Sequence, residues 1–72
     1  MDMYRYFMHR EGFCGGVAHV MATPNGEFHC IMTDGSVAAC YWTKDLKQRV
    51  LAGTDKDIVE VFPFRHSAQS KA

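Results

Sequence analysis

Pro24 constrains this chain more than any other residue, because it stands directly before an Asn-Gly pair inside a run of alternating side chains. That run, residues 16–42 (GVAHVMATPNGEFHCIMTDGSVAACYW), reads as three antiparallel strands joined by two tight turns. An Asn-Gly pair favours a two-residue hairpin turn, but here that turn would ask Pro24 to donate in the first narrow pair, and proline has no amide hydrogen. A three-residue loop removes the conflict. Pro24 takes the first central position of a type I turn, Asn25 follows, and Gly26 adopts the left-handed conformation of a bulge. The expected pairs are Thr23 with Glu27, Met21 with His29 and His19 with Ile31. The second turn, Asp34-Gly35, predicts a two-residue type I′ hairpin with Thr33 opposite Ser36.

Register then sorts the side chains, since a one-residue slip moves every one of them to the other face. One face is expected to collect Ala18, Val20, Ala22, Phe28, Cys30, Met32, Val37, Ala39 and Tyr41, all apolar or amphipathic. The other collects Val17, His19, Met21, Thr23, Glu27, His29, Ile31, Thr33, Ser36, Ala38, Cys40 and Trp42.

The flanks add elements to this meander. Residues 4–9 (YRYFMH) predict a first strand with Tyr4, Tyr6 and Met8 on one side. Residues 10–16 (REGFCGG) form a glycine-rich loop whose Phe13 is expected to plug a core margin. Residues 43–52 (TKDLKQRVLA) predict a short helix, about 44–52, capped by Thr43 or Asp45. An Asp45 cap would place Gln48 where a capping box needs it. Leu46 and Val50 fall one turn apart and Gly53 stops the helix. Residues 58–64 (IVEVFPF) predict a last strand, at an edge because of Pro63, and the polar residues 66–72 a frayed tail. The expected fold is α+β: an antiparallel sheet of four to five short strands, built on the meander 17–42, with one helix packed on one face. A small barrel of the SH3 or Sm type is the alternative, reached if the last strand closes against the first.

Length makes this one small domain. A chain of 72 residues buries only about 60% of the surface its unfolded form exposes, so self-association or a metal would relieve its marginal stability. Eight basic and eight acidic residues cancel, which removes any long-range pull toward nucleic acid or an anionic membrane. Three cysteines, Cys14, Cys30 and Cys40, are an odd count, unlike a secreted disulfide scaffold. Residues 1–10 lack an apolar leader core, and no apolar run approaches the roughly 20 residues of a membrane span. A cytoplasmic protein with reduced thiols is the expectation.

No run of residues matches a phosphate cradle, a nucleophile elbow, a zinc-protease helix or any other family motif. An enzyme is not expected and no cofactor is called for, since so small a domain rarely encloses a pocket. Three binding readings stand. The first is protein binding: Val17, Met21, Ile31 and Trp42 make the second face too apolar to be only solvated. On this reading the chain is a non-catalytic interaction module that forms a homodimer and binds another protein. Its size would suit a phage, plasmid or other mobile-element accessory protein. The second is nucleic-acid binding, with Trp42 stacking a base and Lys44, Lys47 and Arg49 meeting phosphate. The third is a metal site. His29 and Cys30 are adjacent and so point to opposite faces, but the expected register sets His29 across from Cys40 with His19 about 7–8 Å away on the diagonal. A zinc ion could take those three side chains.

Overall fold

The structure is a computed structural model, and residues 3–61 of the chain are described. Five antiparallel strands form one open sheet: β1 (Arg5–His9), β2 (Val17–Ala22), β3 (Phe28–Met32), β4 (Val37–Ala39) and β5 (Ile58–Val61). A single helix among the described residues, α1 (Lys44–Ala52), lies between β4 and β5 in the chain. The spatial order β4-β3-β2-β1-β5 places the last strand beside the first. Closure does not follow, because β4 and β5 remain at opposite edges. The fold is therefore the open α+β sheet and not the barrel. The expected strand positions 62–64, the proline-marked edge and the tail 66–72 lie outside the described residues.

The first hairpin follows from Pro24. Thr23 N–H donates to the Glu27 carbonyl (2.8 Å) and Gly26 N–H to the Thr23 carbonyl (3.0 Å), with Gly26 at φ 92°. The Thr23 hydroxyl donates to Asn25 Oδ1 and accepts from Glu27 N–H, fixing the loop further. Met21 pairs with His29 and His19 with Ile31, as the bulged turn requires. Below His19 the ladder shifts: Val17 pairs with Met32, leaving Ala18 as a bulge.

The second hairpin departs from expectation. Gly35 N–H donates to the Met32 carbonyl (2.9 Å), and Met32 N–H donates to the Ser36 carbonyl (2.8 Å). The loop is thus Thr33-Asp34-Gly35, a type I turn closed by Gly35 at φ 91°, built like the first. A type I′ turn needs positive φ at Asp34 as well, and no non-glycine residue among those described has it. Asp34 instead keeps ordinary backbone and binds the Ser36 N–H (2.9 Å) and hydroxyl (2.7 Å) through Oδ1. Those two bonds hold its carboxyl below the usual range.

One residue of loop reverses β4. Val37 pairs with Ile31, Ala38 with Cys30 and Ala39 with His29. Val37, Ala39 and Tyr41 therefore leave the face assigned to them, and Cys40 and Trp42 cross to the core side.

The core forms where α1 covers that side. Phe7, Val20, Ala22, Phe28 and Val50 are buried, and Phe13, Val17, Cys30, Cys40, Trp42, Leu46 and Ile58 pack around them. Phe7 pairs with Val20 across the strands and stacks near Phe28 at 6.4 Å. The helix starts at Thr43, whose side chain accepts from Leu46 N–H (3.1 Å), rather than at Asp45. It stops at Gly53, in left-handed conformation, whose N–H reaches the Arg49 and Val50 carbonyls. Val50 and Leu46, one turn apart, carry its contact with the sheet. On the same side Arg5 grips Glu60 through two bonds, 2.9 and 2.7 Å, and reaches the Leu51 carbonyl at 3.3 Å.

Candidate functional site: the open face of the sheet

The face away from α1 is built by strand alternation. Because Phe7, Val20 and Phe28 point toward the helix, their neighbours in sequence point the other way. One row crosses all five strands, Ala39–His29–Met21–Tyr6–Val61, every neighbouring pair being in register. A second row follows two residues on: Val37–Ile31–His19 across three strands, then Met8–Val59 across the other two. None of these ten residues is buried, none is Lys, Arg, Asp or Glu, and among the described residues no helix or strand covers them. Val37 is 60% exposed, and Tyr41, beyond the end of β4, is 91% exposed. The border is polar: Glu27 Oε1 lies 3.4 Å from His29 Nε2.

Of the expected partner-binding set, Met21 and Ile31 belong to this face. Val17 and Trp42 do not. The Ala18 bulge turns Val17 toward the core, and the longer second loop sends Trp42 there. Sequence alternation already placed Tyr6 and Met8 together, but not with Met21, because the pairing of β1 with β2 is not written in either strand.

The nucleic-acid set is largely engaged within the fold. Trp42 packs 5.7 Å from Phe28 and 6.2 Å from Phe13, so its ring is no free platform for a base. Lys47 Nζ stands 5.5 Å over the Phe28 ring. Arg49 binds Asp45 and Asp55, each at 3.0 Å. Lys44 remains at the exposed helix start.

The metal set is separated. His19 and His29 share the open face, whereas Cys40 lies on the core side next to Cys30. The zinc reading depended on the type I′ turn and falls with it. Among the described residues, no three His, Cys, Asp or Glu side chains gather to hold an ion. Two surface clefts, of about 520 and 410 Å³, are lined mainly by turn and edge residues such as Tyr4, Pro24 and Asn25, or Arg10, Asp55 and Lys56. No helix among the described residues is long and apolar enough to cross a membrane. Compared with family models, with curated proteins and with solved structures, the chain matches none.

Proposed function

We propose that this chain is a small non-catalytic interaction module that self-associates through its open sheet face and meets other protein on the same surface. The observation that carries this reading is the pair of rows without Lys, Arg, Asp or Glu, ten residues over which no described helix or strand lies. Water against such a face is displaced favourably by another apolar surface, at about 25 cal/mol per Å² buried. A second copy is the natural first occupant, because the two rows have no Lys, Arg, Asp or Glu to repel their own image across a twofold axis. The edges are poorer templates: β4 is three residues long, and β5 carries Glu60 at its centre. A face-to-face pair also relieves the stability problem of a small domain.

Sedimentation velocity across the micromolar range tests the reading. A reversible shift from monomer to dimer with rising concentration is expected. Monomer throughout that range overturns self-association.

A further inference from the structure

We propose that Cys30 and Cys40 form a reversible intrachain disulfide that pins β4 to the sheet, an oxidation site on the core side of the strands. Cys30 stands opposite Ala38, and Cys40 follows Ala38 by two residues, so both thiols lie on the core side of adjacent strands. Diagonal neighbours of this kind stand within about 7–8 Å along the backbone, somewhat less between Cβ atoms. A disulfide needs a Cα separation of roughly 4.4–6.8 Å. The β4 ladder ends at Ala39, so Cys40 is not held by strand pairing and its backbone can take up the difference. Burial, the charge of Cys40 and a hydrogen bond to it together push the Cys30 thiol up to about 11.

The oxidant is a small-molecule disulfide such as oxidised glutathione. The first attack falls to Cys40, which lies past the end of the β4 ladder. Its thiolate displaces one glutathione thiolate and leaves a mixed disulfide. Cys30 then loses its proton and attacks the Cys40 sulfur, displacing the second. One S–S bond breaks and one forms, the two protein thiols are oxidised, and two glutathione thiols are produced.

The consequence concerns the strand with the weakest attachment. All three residues of β4 are exposed and it has one neighbour in the sheet. A bridge to Cys30 forbids the alternative register in which Asp34-Gly35 forms the tight turn, since that register carries Cys40 to the opposite face. Oxidation therefore holds Val37 and Ala39 on the open face.

The test is made on the intact chain in a glutathione redox buffer, with free thiols alkylated before digestion. Cleavage after Glu27 and Asp34 separates the three cysteines onto three peptides. The expected result is loss of two hydrogens per chain, a Cys30–Cys40 linked peptide, full alkylation of exposed Cys14, and a higher melting temperature that reverts on reduction. A Cys14→Ser chain should behave identically. Linkage through Cys14, linkage only between chains, or continued alkylation of both Cys30 and Cys40 in the oxidising buffer overturns the proposal.

Discussion

The ring of Trp42 lies 5.7 Å from the ring of Phe28, tilted 46° to it, and 6.2 Å from the ring of Phe13. The contact exists because the second turn holds three residues. With two, Trp42 would face away from Phe28 and Tyr41 would take its place. Trp42→Ala should cost about 3 kcal/mol, the low end for removing a large aromatic side chain, because Trp42 is not wholly buried. Tyr41→Ala, at a 91% exposed position, should change monomer stability by no more than about 0.5 kcal/mol. Urea denaturation of dilute samples checks both; the reverse ranking would mean the other register.

The turn can be tested directly. Gly35 at φ 91° occupies backbone that costs an L-residue roughly 1–2 kcal/mol, so Gly35→Ala should lower stability by that amount. Asp34→Gly should also destabilise, because Asp34 has ordinary φ and its carboxylate binds Ser36 twice. A type I′ turn would instead gain from glycine there, so a stabilised Asp34→Gly chain would contradict the turn described.

Glu60 gives a pH signature. The Arg5 hydrogen bonds and charge hold its carboxyl below its ordinary value near 4.5, against a smaller opposing effect of burial. The unfolded chain therefore binds its proton at higher pH than the folded one. Stability from the pair is present above about pH 4.5 and fades as pH falls through the lower folded value. Both side chains are substantially exposed, 38% and 47%, so screening limits the effect to about 0.5 kcal/mol. Glu60→Gln should be less stable than the parent at pH 7, and the gap should close in acid. A gap unchanged down to pH 3 would remove the ion pair as its cause.

On the open face, Met21→Lys or Ile31→Lys should abolish the dimer in sedimentation while leaving the circular dichroism spectrum intact. Each places a lysine within rows that hold no Lys, Arg, Asp or Glu, where the twofold mate would bring a second one close. Val17→Ala should do the opposite. It keeps the dimer and lowers stability by about 1 kcal/mol, because Val17 packs against the core.

How much was legible turned on local chemistry. Pro24 gave the first register because its missing N–H excludes one turn outright. Thr43, Leu46, Val50 and Gly53 gave the helix because caps and one-turn spacing are short-range properties. Asp34-Gly35 offered no such exclusion: aspartate tolerates both turns, and the difference lies in backbone angles that the pair of letters does not fix. The candidate face inherited that ambiguity. Met21 and Ile31, tied to the first turn, were placed correctly, whereas Cys40 and Trp42, tied to the second, were not. Val17 was misplaced for a separate reason, the Ala18 bulge, which has no glycine to announce it.

By itself, then, the sequence determined that this chain forms an antiparallel meander with one capped helix on an apolar face. Alternation, a proline and two helix caps act over a few residues, and their energies are decided before distant parts meet. Only tertiary structure decided which side of β4 faces the helix, that β1 stands between β2 and β5, and that Tyr6, Met8, Val59 and Val61 join Met21 and Ile31 on one open surface. Those outcomes depend on packing. Trp42 against Phe28, and Phe7 and Val50 in one buried core, bring together residues far apart in the chain, and burying them together selects the loop and the strand order that local preference left open.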